Sequence, residues 1–134
     1  MFGAKNGKPS SKIDTLIGAG SRIDGDVRFS GGLRVDGVVS GNILSDDAGT
    51  LVLSEEATVE GEIRVAHAVI NGQVAGPIHA SESLELQAKA RVSGDVYYTT
   101  LEVHLGAVVE GRLMHGVASR SGEKVVPLVS KAVD

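Results

Sequence analysis

The chain has 134 residues, of which 42% are hydrophobic and only 3% aromatic, so its apolar content is almost entirely Val, Ile, Leu and Ala. It contains no cysteine, which excludes a disulfide framework and thiolate metal sites. The net charge is −4, and residues 14–114 hold fifteen acidic but only seven basic side chains. This acidic balance argues against a nucleic-acid-binding protein, which needs a basic surface.

Residues 1–13 are polar, lack hydrophobic periodicity and carry lysines without any acid. We expect them to form a flexible tail, and an ordinary solvated terminus is the simplest interpretation. A membrane-targeting peptide is the alternative, since Phe2 can insert at an interface while Lys5 attracts anionic lipid. The chain has neither a signal-peptide core nor an apolar run of about 20 residues that could span a membrane. We therefore expect it to stay in the compartment where it is made.

Residues 14–114 repeat one five-residue pattern, in which an aliphatic residue, a variable residue, Gly, a variable residue and another aliphatic residue follow each other. The residue two before each Gly is always Ile or Val, and these types favour strands. Alternation of apolar and variable positions also indicates strand and not helix. The six glycines recur at intervals of 15 to 20 residues: Gly25, Gly41, Gly61, Gly76, Gly94 and Gly111.

This recurrence predicts an all-β protein, a parallel β-helix (β-solenoid) of about six coils. Each coil is expected to lie about 4.8 Å from the next, with the aliphatic residues stacked into internal ladders. The six glycines are interpreted as inside corners, where the chain bends and no side chain fits. Pro77 cannot donate to a strand ladder, so its coil is expected to be locally irregular.

Both ends of such a stack expose apolar surface and unpaired backbone groups, which favour association unless they are covered. No covering segment is evident, so we expect copies of the chain to stack end to end, and residues 115–134 to form a flexible C-terminal tail. The alternative is a capped monomeric binding module, in which "VVPLVSKAV" (125–133) folds back over one end. The predicted polymerisation interface comprises Leu16, Ile17, Ile23, Val27, Val103, Val109 and Leu113.

No group of residues suggests chemistry, and we predict no catalytic, metal or cofactor-binding residues and no enzyme. The sequence has no Ser–His–Asp arrangement. It also has no phosphate-binding loop and no aromatic platform for bases, so neither nucleotide nor nucleic acid is an expected partner. The alternative is a β-helical acyltransferase of the hexapeptide-repeat type, with one of His67, His79, His104 or His115 as general base. Such enzymes need strict six-residue periodicity, whereas the intervals here vary.

The ordered series "TLIGAGSRIDGDV", "LRVDGVVSGNI", "LVLSEEATVEGEI", "VINGQVAGPI", "LELQAKARVSGDV" and "LEVHLGAVVEG" closely resembles the bactofilins, over about residues 14–114. The resemblance implies a triangular, right-handed β-helix between flexible tails, which polymerises into non-polar, nucleotide-independent filaments of the bacterial cytoskeleton.

The same resemblance implies a scaffold for cell-wall, cell-shape or polarity proteins on the inner face of the cytoplasmic membrane. The short N-terminal membrane-binding peptide of many members corresponds here to Met1, Phe2 and Lys5. One departure is in the last coil, where members often carry an aromatic residue and this chain has Val108 and Val109. We therefore expect the C-terminal junction to be packed differently.

Overall fold

The computed structural model describes residues 13–45 and 48–116, which form fifteen β-strands. No helix in these residues is long and apolar enough to cross a membrane. The strands are β1 Thr15–Ile17, β2 Arg22–Asp24, β3 Val27–Phe29, β4 Gly32–Val35, β5 Val38–Ser40, β6 Ile43–Ser45, β7 Thr50–Leu53, β8 Thr58–Glu60, β9 Ile63–Ile70, β10 Gln73–Ala75, β11 Ile78–Leu86, β12 Arg91–Ser93, β13 Val96–Val103, β14 Val108–Glu110 and β15 Leu113–His115.

All pairings between these strands are parallel, and they join each coil to the next, as a solenoid requires. Face 1 is a six-stranded sheet in the order β14-β12-β10-β8-β5-β2. Face 2 contains β3, β6, the first parts of β9, β11 and β13, and β15. Face 3 contains β1, β4, β7 and the last parts of β9, β11 and β13. The prediction of a parallel β-solenoid of about six coils is therefore confirmed.

The core consists of aliphatic ladders that run along the inside of the three faces. On face 1, Val39, Val59, Val74 and Val92 are aligned in register and at most 2% exposed. Face 2 has an equivalent ladder from Ile43 to Val96, and its members are fully buried. Since every coil contributes side chains to the same ladders, no coil could bury its apolar face without its neighbours.

The six repeat glycines lie between the strands of faces 1 and 2, and the stacking of coils explains why all but Gly25 are glycines; Gly25 lies in the first coil and has a φ of 130°. A Cβ atom on Gly94 would lie 2.6 Å from the carbonyl oxygen of Gly76, in the preceding coil. The equivalent carbonyl of the preceding coil blocks a side chain on four others, Gly41, Gly61, Gly76 and Gly111. The excluded side chain would thus point along the stack toward the neighbouring backbone, and not into the centre of the coil as the sequence suggested.

The corner between faces 3 and 1 has two forms. Long coils turn through four residues, as at Ser54–Ala57, closed by a hydrogen bond of 3.0 Å from Ala57 N to Ser54 O. Short coils turn through Asp36-Gly37 or Asn71-Gly72, and a Cβ atom on Gly72 would lie 2.6 Å from the carbonyl oxygen of Ala57. The glycine of each short turn therefore packs directly against the long turn of the coil before it.

The coil that contains Pro77 is locally irregular, as expected, but not at the proline itself, since Ile78 remains in register with both Ile63 and Val96. The register shifts instead between Ala80 and Ser83, where β11 has nine residues and the flanking β9 and β13 have eight. Pro77 itself is accommodated without a register shift because residues at its position do not donate to the backbone ladder. In three other coils, the N–H groups at this position, those of Asn42, Glu62 and Arg112, bond to side chains instead.

Candidate functional site

The two ends of the solenoid are its incomplete surfaces. In the described residues, β1, β2 and β3 at one end pair with only one neighbour each, as do β14 and β15 at the other. Their outer edges therefore carry backbone donors and acceptors without ladder partners, a natural template for another strand.

The N-terminal end is formed by the first coil. Here Ile23 and Val27, the first members of the face 1 and face 2 ladders, are partly buried, whereas their neighbours Val39 and Ile43 are fully buried. Phe29 is also partly buried and packs against the same core. Ile17 is only 7% exposed, while Leu16 is 59% exposed on the outer wall of face 3. This end thus presents a partly covered apolar cross-section.

The C-terminal end is formed by the last coil and exposes more apolar surface. Val103, the last member of a face 3 ladder, is 49% exposed, whereas Leu86 directly before it is fully buried. Val109 is partly buried, and Leu113 is 8% exposed. Burying such side chains is worth about 25 cal/mol per Å² of apolar area, so covering this end would favour association.

Two exposed apolar residues at the C-terminal end are not among the predicted interface residues. Leu105 is 95% exposed at the tip of the last four-residue turn, and Val108 is 38% exposed on β14. The corresponding tips of earlier turns carry Ala19, Glu55 and Ala88. An isolated Leu at a turn tip was the available signal, and it was missed because it lies outside the repeated pattern.

The predicted interface residues therefore occupy both ends, with different degrees of access. Ile23, Val27 and Val109 are partly buried members of the terminal ladders, and Val103 is well exposed. Ile17 and Leu113 are nearly covered by their own chain. The membrane-targeting residues Met1, Phe2 and Lys5, the proposed tail 1–13 apart from Ile13, and residues 117–134 lie outside the described residues.

The described histidines contact neighbours on the sides of the solenoid. His67 Nδ1 lies 2.9 Å from Ser83 Oγ, and His115 stands edge-on to Tyr98 at 5.7 Å between ring centroids. His79 stacks on Tyr97, with ring centroids 4.5 Å apart, and its Nε2 lies 3.2 Å from Glu62. Burial, assisted by the positive charge of Arg64, holds the pKa of His79 below its usual value, against the weaker opposing effect of Glu62.

One group of described side chains could hold a cation. His104 Nε2 lies 2.9 Å from a Glu85 carboxylate oxygen and 3.3 Å from a Glu102 carboxylate oxygen. One potential ligand atom from each residue lies within 4.8 Å of the other two. Glu85 and Glu102 are also in register on adjacent strands, so their like charges oppose each other. His104 between them reduces this repulsion when it is protonated, which is a structural role.

Residues 15–114 match a family model described as bactofilin, polymer-forming cytoskeletal. The chain is 32% identical to bactofilin BacP of Myxococcus xanthus (strain DK1622) over 117 residues, which cover 87% of this chain and 48% of BacP. It is 31% identical to bactofilin BacO of the same organism over 100 residues, 75% of this chain and 78% of BacO. The chain thus spans about half the length of BacP, and no solved structure matches it. It belongs to the bactofilins, a family of polymer-forming cytoskeletal proteins.

Proposed function

We propose that this chain polymerises end to end through both terminal coils, and that its filaments form without nucleotide. The observation that supports this most directly is the exposure of ladder residues at both ends, seen in the difference between Val103 and Leu86. A second copy stacked on either end would cover these side chains and supply partners for the free strand edges.

One column of charged residues on the outer wall of face 1 favours filaments without polarity. This column of outward side chains has at least one neutral residue between any two acidic residues. The column is Asp24, Ser40, Glu60, Ala75, Ser93 and Glu110. Head-to-tail stacking in register would place Glu110 directly beside Asp24 of the next copy. Because like charges opposite each other destabilise a strand pair, this supports head-to-head and tail-to-tail junctions.

In this proposal the filament is a membrane-associated scaffold at the inner face of the cytoplasmic membrane. Phe2 inserts at the interface, while Met1 and Lys5 contribute apolar and electrostatic contacts. A single short peptide binds weakly, but a filament presents many copies and gains avidity. Proteins of cell-wall synthesis, cell shape or polarity are the proposed further partners, on the basis of the family resemblance.

The proposal makes the chain a structural protein and not an enzyme. His67 and Ser83 are within hydrogen-bonding distance, but no carboxylate of the described residues contacts His67 to orient it. A nucleophile–base pair normally has such a third group. The Ser83 hydroxyl also lies in a column of side chains between stacked coils, where the contact with His67 serves packing.

Electron microscopy of the purified full-length chain in nucleotide-free buffer tests the proposal. We expect unbranched filaments whose thickness corresponds to the triangular solenoid. A uniform trimer would favour the acyltransferase alternative, and a stable monomer would favour the capped binding module. Either result would contradict end-to-end polymerisation.

A further inference from the structure

The last corner of the solenoid carries opposite charges at equal distances from its glycine. Glu110 precedes Gly111 and Arg112 follows it, and both side chains are exposed. Neither side chain makes a hydrogen bond or ion pair with the part of the chain that the structure describes. The first corner differs, because Asp24 and Asp26 place like charges on the two sides of Gly25.

The solenoid is triangular in cross-section. A half-turn about an axis perpendicular to the solenoid, through one corner and the middle of the opposite face, superimposes this triangle on itself. When this axis passes through the Gly111 corner, face 1 of one copy lies against face 2 of the other. The two strands that meet, β14 and β15, each have three residues and run antiparallel across the junction. Residues at equal distances before and after Gly111 then oppose each other.

We propose that two copies of the chain meet at their C-terminal ends about this two-fold axis, with Glu110 of each copy paired to Arg112 of the other. Two such pairs form, since an isologous interface repeats every contact. Val109 of each copy then opposes Leu113 of the other, so apolar contacts flank the Gly111 corner inside the two ion pairs. The inference rests on the proposed function, and it specifies the register of one junction.

The apolar residues of the C-terminal end fit this arrangement. The end of β13 lies on face 3, opposite the axis, and would run antiparallel to its own copy. Its ladder residues Leu101 and Val103 would meet their counterparts and become covered. In the single chain, Leu101 is partly buried and Val103 is 49% exposed. The junction thus covers the apolar end on all three faces.

Alternative junctions have less favourable charge patterns. Head-to-tail stacking in register sets Arg112 beside Asp26 of the next copy, which is attractive, but also Glu110 beside Asp24, which is repulsive. A two-fold axis through the Gly25 corner would oppose Asp24 and Asp26 twice. Of these three arrangements, only the two-fold axis through the Gly111 corner gives two attractive pairs without a repulsive one.

Charge reversal tests this register in the full-length chain. Glu110→Arg alone and Arg112→Glu alone each create two repulsive pairs at the junction, and we expect the critical concentration for pelleting to rise about tenfold. In a 1:1 mixture, the two variants can pair across the axis, so pelleting should return to the wild-type level. The double variant Glu110→Arg/Arg112→Glu should behave like the mixture. Far-UV circular dichroism verifies that each variant keeps the β-solenoid.

Each other outcome contradicts the inference. If Glu110→Arg improves pelleting, the introduced arginine is facing Asp24 and the junction is head-to-tail. If wild type forms filaments but the mixture pellets no better than the single variants, the register is wrong while end-to-end polymerisation stands. If wild type itself stays monomeric, the proposed function fails, and the chain's own segment 125–133 becomes the candidate cover of this end.

Discussion

The side-chain oxygen of Asn42 accepts a hydrogen bond of 2.9 Å from the backbone N–H of Glu62, twenty residues further along the chain. Both residues follow a corner glycine. Asp95 accepts the N–H of Arg112 in the same way, at 3.1 Å. These hydrogen bonds satisfy backbone N–H groups that lie at the corner between two strands, where the hydrogen-bonded ladder of the sheets does not reach. Pro77 occupies an equivalent position without difficulty because it has no N–H to satisfy.

Replacing Asn42 by Ala should therefore destabilise the solenoid. The partly buried N–H of Glu62 would lose its partner, which costs about 1–3 kcal/mol in the free energy of unfolding. Urea denaturation at a fixed protein concentration measures this difference. The matched control is Glu60→Ala, since Glu60 is exposed and its side chain has no hydrogen-bond partner among the described residues. An equal effect of both variants would contradict the capping role.

Gly94→Ala should be far more damaging than Gly18→Ala. A methyl group on Gly94 would lie 2.6 Å from the Gly76 carbonyl oxygen, and its φ of 146° is rarely adopted by other residues. A methyl group on Gly18 would meet nothing within 4 Å, and Gly18 has no positive φ. We expect a loss of about 3 kcal/mol or more for Gly94→Ala and less than about 1 kcal/mol for Gly18→Ala, measured by thermal unfolding. Similar losses would argue against axial close packing.

Leu105→Arg should impair filament formation without unfolding the chain. Leu105 is 95% exposed at the C-terminal end, so the substitution disturbs no core contact, yet it places a charge where a second copy is proposed to stack. Negative-stain electron microscopy should show few or short filaments. Ala75→Arg, on the exposed side of face 1 between Glu60 and Ser93 of the adjacent strands, is the control and should leave filaments intact. Normal filaments in the Leu105 variant would exclude this residue from the junction.

The stability of the solenoid should fall as the pH drops below about 6.5, the ordinary pKa of histidine, because the pKa of His79 is lowered in the folded chain. In the window between its folded and ordinary pKa values, the unfolded chain binds more protons, so stability increases with pH. Melting temperatures at about pH 7.5 and about pH 5.5 bracket the onset of this loss. His79→Gln should show a smaller difference, and an unchanged difference would assign the effect to other groups.

Deletion of residues 1–8 should abolish binding to vesicles that contain anionic phospholipid, while leaving polymerisation intact. The lysines of this segment contribute about 1 kcal/mol each near an anionic surface, and Phe2 adds apolar insertion. Vesicle flotation measures the bound fraction. Phe2→Ser in the full-length chain separates the apolar contribution from the charge. Undiminished binding by the deletion variant would show that another part of the chain contacts lipid.

The corner glycines and the β-branched residues before them were sufficient to predict a parallel solenoid of about six coils. This succeeded because strand alternation is a local property, and because a repeated pattern forces equivalent residues into the same ladder. The pattern also located both ends of the stack. The repeated pattern did not indicate that the side chains of Asn42 and Asp95 accept hydrogen bonds from backbone N–H groups of the next coil. Those bonds depend on how the corners of successive coils are placed relative to each other in space.

The sequence by itself determined the architecture and the position of the terminal coils in it. Only the tertiary structure decided which terminal residues are accessible: Ile17 is nearly covered, whereas Leu105 is almost fully exposed. It also showed that the corner glycines make room for the backbone of the preceding coil. The physical reason is the same in each case. The exposure of a side chain and the close approach of two backbones both depend on residues about one coil away in the sequence, and a local pattern does not define where those residues lie.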